Sequence, residues 1–162
     1  MYTIPFVPAN KIDRKMKLAL EWLDQSRLAI DPLMRLLYDM FALETLLGNK
    51  SQGKKARLLA FRRALLSTIV KGHYPDPYKI MSLYEQVRSY AVHGGEVKEY
   101  DEKDAKSLSW SVRLALNEYL QIVNDNGFKR PKQVFDYLDT HEKHDELLDW
   151  LIGIDSSWKE LL

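Results

Sequence analysis

The chain has 162 residues, 46% of them hydrophobic and 29% charged, with a formal net charge of +1. That length and balance suit one domain able to bury a sizeable core, and the near-zero charge carries no global signal for nucleic acid, so any such binding needs a local basic patch. Zero cysteines exclude disulfides, thiolate zinc sites and a cysteine nucleophile, and seven glycines with six prolines argue against an all-β chain.

Residues 1–10 hold two prolines and read as an extended arm. The stretch lacks a charged segment followed by an apolar core, so no secretory leader is expected. No apolar run approaches the length of a membrane span, and a cytoplasmic location is expected. A first helix begins near Asp13, with Met16, Ala19, Leu20, Leu23 and Ile30 as its inward stripe. Asp31-Pro32 breaks the chain and restarts it, because Asp caps a helix and Pro suits its first position.

The second helix runs from Pro32 to about Leu47 with Leu33, Leu36, Leu37, Met40, Leu43 and Leu47 on one side. Glu44 falls on that stripe. A carboxylate there is costly unless paired, so either it meets an arginine of another helix, Arg88 being the candidate, or it lies at the rim and reaches water. Gly48-Asn49 ends the helix, and a basic turn follows. The third helix, about Lys54 to Lys71, turns Leu58, Phe61, Leu65, Leu66 and Ile69 inward. Its outer face carries Arg57, Arg62 and Arg63, which with Lys50, Lys54 and Lys55 form the densest basic cluster. That cluster reads as a solvated helix face or as a contact for an RNA backbone.

Asp76-Pro77 opens the fourth helix with the same cap-and-proline pattern. Ile80, Leu83, Tyr84, Val87 and Ala91 recur at helical spacing, and Gly94-Gly95 stops the helix. Arg88 and His93 stand off that apolar face, about 140° apart on an ideal helix. If the helix ends near Val92 and the chain turns at the glycines, both reach one small site, where a guanidinium and an imidazole can bind a phosphate and move a proton. The alternative is a solvated arginine and a histidine placed favourably at a helix C-terminus.

A charged loop leads to a fifth helix, about Asp104 to Asn124, with Leu108, Val112, Ala115, Leu116, Tyr119 and Val123 inward. Asp125-Asn126-Gly127 terminates it. Residues 128–162 add C-terminal helices, Pro131 to about Leu138 and Glu142 to about Ile152. Trp150 and Trp158 either pack on the bundle or form an interface. His141 and His144 sit three apart, a spacing one helix face can offer to zinc, but no third-ligand pattern accompanies them, and neither metal nor cofactor is expected. No glycine-rich phosphate loop, dinucleotide fingerprint or nucleophile elbow occurs. The fold class expected is all-α, a helical bundle of four to five core helices plus the C-terminal ones, as a single domain over 1–162.

Two strings resemble a known family. Arg88-Ser89-Tyr90-Ala91-Val92-His93, an arginine, four residues and a histidine, resembles the signature of HEPN domains (higher eukaryotes and prokaryotes nucleotide-binding). The longer run Leu83 to Gly95 is similar to the Apea-like branch, and Phe41-Ala42-Leu43-Glu44-Thr45-Leu46-Leu47-Gly48 is similar to that branch's Ala-Leu-Glu-x-Leu-Leu string. The matches run from about Lys17 to Tyr119, and the tail after Asn126 is not covered. The resemblance implies a helical bundle paired about a two-fold axis and a metal-independent endoribonuclease. His93 would be general base or acid and Arg88 would stabilise phosphoryl charge, with Glu44 orienting Arg88 and Ser89 and Tyr84 contacting substrate. It further implies a homodimer, RNA as substrate, a role in stress response or phage defence, and, in a toxin–antitoxin pair, an antitoxin or defence partner protein. Other members are non-catalytic RNA- or nucleotide-binding modules or protein-interaction modules, and that alternative stands beside the first.

Overall fold

A computed structural model of the chain describes residues 7–48, 55–93 and 102–162. It is an all-α helical bundle, with no strand among the described residues. The helices are α1 (Lys11–Leu28), α2 (Pro32–Leu47), α3 (Lys55–Lys71), α4 (Pro77–His93), α5 (Glu102–Asn126), α6 (Pro131–Thr140) and α7 (Glu142–Ile154), followed by a 3-10 helix (Ser156–Leu161). None of the helices is long and apolar enough to cross a membrane, among the described residues. The expected arm falls largely outside those residues. What is described of it, Val7 to Ala9, leads to the Asn10 cap, whose side chain accepts from the Asp13 amide at 2.9 Å and starts α1 two residues before the expected Asp13.

The punctuation works as the residues dictate. Asp31 Oδ1 accepts from the Leu33 amide at 3.0 Å and Asp76 Oδ1 from the Tyr78 amide at 2.9 Å, each with proline at the first helical position. Gly127 has φ of 65°, the left-handed conformation that glycine adopts freely, just past the end of α5. α1 and α2 form a hairpin across the short 29–31 connection, α5 lies against α2 and α3, and α4 against α3 and α2. Two expected members of the α1 stripe face solvent instead: Leu20 is 39% exposed and Ile30 is 92% exposed. Ile30 lies beyond the end of α1, in the connection, so helical spacing does not govern its direction.

α3 departs most from expectation. Every residue from Leu59 to Ser67 is buried, so the helix is covered all round rather than along one stripe. Arg62 and Arg63, expected on an outer face, are 5% and 1% exposed. They are neither a solvated face nor a surface for RNA. Arg63 donates to the Ser111 carbonyl oxygen at 3.1 Å and hydroxyl at 3.0 Å and pairs with Glu118 Oε2 at 2.8 Å, and Ser67 donates to the other Glu118 oxygen at 3.3 Å. Arg62 donates to the Leu47 carbonyl oxygen at 2.9 Å, closing the C-terminus of α2. Arg57 donates to the Ser157 carbonyl oxygen at 2.6 Å and pairs with Glu160 at 3.0 Å. All three arginines tie elements together from the inside.

The tail belongs to the same packing. Val134, Leu138, Leu147, Leu148, Leu151 and Trp158 are buried in the core cluster shared with α1 to α5. The Trp158 indole N–H donates to the Tyr78 hydroxyl at 2.9 Å. Trp150 is 55% exposed, its ring edge-on to Tyr74. His141 and His144 serve α7 locally: His141 Nδ1 accepts from the Lys143 amide, and the His144 ring meets Phe61 edge-on.

A buried hydroxyl and a half-buried ammonium lack full compensation, which gives two expected outcomes. The Tyr119 hydroxyl lies in a fully buried residue with no hydrogen-bond partner, and burial pushes its pKa upward. Tyr119→Phe removes an orphaned polar atom without changing shape, so it should stabilise the protein by about 1 kcal/mol in chemical denaturation. Lys15 stands with Arg62 beside the Phe135 ring, both 4.3 Å from its centroid. Burial, with a lesser push from Arg62, lowers its pKa from the ordinary 10.5 to about 8. Between those values the folded state binds fewer protons than the unfolded chain, so Lys15 contributes stability that rises with pH across that window and is penalising below it. Lys15→Met should therefore stabilise at pH 7 by about 1–2 kcal/mol, with the gain fading as pH approaches 10.5.

Candidate functional site

The apolar face of α4, Ile80, Leu83, Tyr84 and Val87, is buried as its spacing predicts, and it brings Tyr84 against α2. There the Tyr84 hydroxyl donates to Glu44 Oε1. Glu44 is half-buried and Tyr84 is 5% exposed. The acid on the α2 stripe thus has a partner from α4 in Tyr84, one helical turn before Arg88, the expected partner, whose side chain lies outside the described residues. Tyr84, expected to touch substrate, donates its hydroxyl to Glu44.

The end of α2 explains the glycine of its string. The Gly48 amide donates to the Glu44 carbonyl oxygen at 2.8 Å, and a Cβ at position 48 would overlap that same oxygen. Only glycine lets the chain close over the last turn that carries Glu44.

α4 remains helical through His93, one residue beyond the expected end. Arg88 and Ser89 lie on the same helix, with the backbone of Arg88 about 6 Å along the axis from that of Tyr84. The side chains of Arg88, Ser89 and His93 lie outside the described residues, as do Gly94 and Gly95. The structure therefore brings Glu44 and Tyr84 together and sets the positions of Arg88, Ser89 and His93 in sequence along the final turns of that helix.

A second constellation was not anticipated. Asp39 is 2% exposed, and its Oδ1 has no hydrogen-bond partner. Burial raises its pKa, opposed by the Ser26 and Ser109 hydroxyls and by Arg113. Asp39 lines an open cleft of about 300 Å3 between the α1–α2 corner and the first half of α5. The signal was in the sequence: Leu36, Asp39 and Leu43 are spaced three and four apart, which puts a second acid on the α2 stripe.

No protein-family model, curated protein or solved structure matches this chain.

Proposed function

We propose that the protein is a HEPN-type, metal-independent endoribonuclease acting as a dimer in stress or phage defence, or as the toxin of a toxin–antitoxin pair. The observation that carries this reading is the Glu44–Tyr84 hydrogen bond: the two strings that resemble the family, 40 residues apart, meet through a residue of each. The all-α architecture supports it, and so does the placement of Arg88 and His93 on the last turns of α4.

In the proposed reaction His93 of one subunit takes the proton of an RNA 2′-hydroxyl, which attacks the adjacent phosphorus. Arg88 stabilises charge on the non-bridging oxygens. The bond to the 5′-oxygen breaks, and that oxygen takes a proton from the second His93. The products are a 2′,3′-cyclic phosphate and a 5′-hydroxyl. Glu44, linked to Tyr84 one turn away, is a positioning residue for the arginine. Incubation of the purified protein with total RNA in EDTA tests the reading. Fragments with those termini are expected, and RNA that stays intact overturns it.

The second reading is a non-catalytic RNA- or nucleotide-binding, or protein-interaction, module. Of these, the burial of Arg62 and Arg63 favours the protein-interaction module, because it removes from the surface two cations that an RNA backbone would need, in a chain whose net charge is only +1. RNA binding that weakens steeply with salt and leaves the RNA intact would select the RNA-binding module instead.

A further inference from the structure

Three helices bring two cations to one aromatic ring. Lys15 Nζ of α1 and the Arg62 guanidinium of α3 each lie 4.3 Å from the centroid of the Phe135 ring on α6. The ring attracts each cation, but the cations repel each other. Among the described residues no acid pairs with Lys15, and the residue one turn before it on α1 is another cation, Lys11. The exposed Asp139 of α6 offsets the charge of Arg62 in part. Arg62 is 5% exposed; its Nη1 donates to the Leu47 carbonyl oxygen, and its Nε–H has no acceptor. A buried N–H without an acceptor, close to a cation without a counter-ion, calls for negative charge at this spot.

Lys15 can supply that charge itself. Burial and Arg62 hold its pKa at about 8, so near that pH about half of it is the free amine, against roughly one in three hundred of ordinary lysines. A desolvated lysine next to another cation is the arrangement that makes an amine nucleophilic near neutral pH. We propose that Lys15 is a carboxylation site, where the free amine takes up carbon dioxide and the resulting carbamate pairs with Arg62 beside the Phe135 ring. The Nζ lone pair forms a bond to the carbon of carbon dioxide, one C=O electron pair moves onto oxygen, and the nitrogen gives a proton to water. Nothing is oxidised or reduced, and the addition is reversible. The side chain changes from a cation to an anion. Repulsion by Arg62 becomes attraction, and the carbamate oxygens offer the acceptor that Arg62 Nε lacks. The half-buried position of Lys15 keeps the amine within reach of so small a molecule.

The modification needs neither Arg88 nor His93, so it stands or falls apart from the ribonuclease reading. The test is incubation of the full chain with isotope-labelled bicarbonate at about pH 8, ethylation of carbamates with a trialkyloxonium salt, and peptide mass mapping. Lys15 is expected to carry the ethyl carbamate at least about tenfold more than the other lysines, because its free-amine fraction is about a hundredfold larger. At fixed pH and ionic strength, bicarbonate in place of chloride should raise the melting temperature of the wild type. Lys15→Arg keeps the cation but cannot form a carbamate, and its melting temperature should not respond. A rise shared by Lys15→Arg would mean a bound anion and would overturn the carbamate. So would an adduct level at Lys15 no higher than at other lysines. An adduct at Lys15 with no rise in wild-type melting temperature would overturn the pairing with Arg62, and the proposal with it.

Discussion

Replacing Glu118 with alanine is expected to lower the unfolding free energy by about 3–5 kcal/mol, the cost of breaking a buried ion pair from one side. Glu118 and Arg63 are 2% and 1% exposed and meet at 2.8 Å, so neither charge has water as an alternative partner. Removing the carboxylate strands a guanidinium in the centre of the bundle, where α3 is covered on every side. Arg63 would keep the Ser111 carbonyl and hydroxyl oxygens, but these are neutral acceptors. At this chain length the loss corresponds to a fall in melting temperature of roughly 6–20 °C. The contrast that makes the argument sharp is the double replacement Arg63→Met with Glu118→Leu. Removing both charges together and filling the space with apolar atoms should restore most of the stability. A double-mutant cycle in chemical denaturation therefore separates the cost of an orphaned charge from the net worth of the pair. If Glu118→Ala costs under 1 kcal/mol, the pair is open to solvent and the description of α3 as the covered centre of the bundle fails.

The same helix shows where the sequence stops being legible. The helix starts at Asp31-Pro32 and Asp76-Pro77, and the stop at Gly127, are local events decided by one cap, one fixed φ or one positive φ, so the residues alone announce them. Whether a helix is covered on its second side is decided elsewhere in the chain. Arg62 and Arg63 looked like the polar face of an amphipathic helix because Phe61, Leu65 and Leu66 already satisfied one stripe. Their burial depends on Ser111 and Glu118 of α5, about 50 residues on, and on Phe135 of α6. Glu118 itself carried a readable sign, since Ser111, Ala115, Glu118 and Ile122 share helical spacing and all are buried. Glu44 is the intermediate case. Its place on an apolar stripe announced a partner from another helix, but that Tyr84 of α4 reaches it depends on how α2 and α4 are rotated against each other, which no local pattern fixes.

On the proposed ribonuclease reading, His93→Ala should reduce metal-independent RNA cleavage by about a hundredfold to ten-thousandfold, the range that a positioned general acid–base contributes. Its effect on stability should be small, because among the described residues the apolar contacts that seat α4, at Ile80, Leu83, Tyr84 and Val87, precede the last turn. Glu44→Ala should behave in the opposite proportion. It removes the Glu44 carboxylate that accepts from the hydroxyl of the buried Tyr84, at a cost of about 1 kcal/mol, the worth of a hydrogen bond to a side chain. Its effect on cleavage would be indirect, through the helix that carries Arg88. The pair of variants thus gives a crossed result: activity lost with the fold kept in one, and stability lost with partial activity in the other. A pH profile adds the readout that a structural role would not move, since His93 as base and acid in two subunits requires a bell-shaped rate that Glu44→Ala preserves in shape while lowering its height. Cleavage by His93→Ala at the wild-type rate would remove the histidine from the chemistry. A melting temperature that falls with its loss of activity would make His93 a structural cap of α4 instead, because a residue whose removal unfolds the helix cannot be assigned a proton on the strength of lost cleavage.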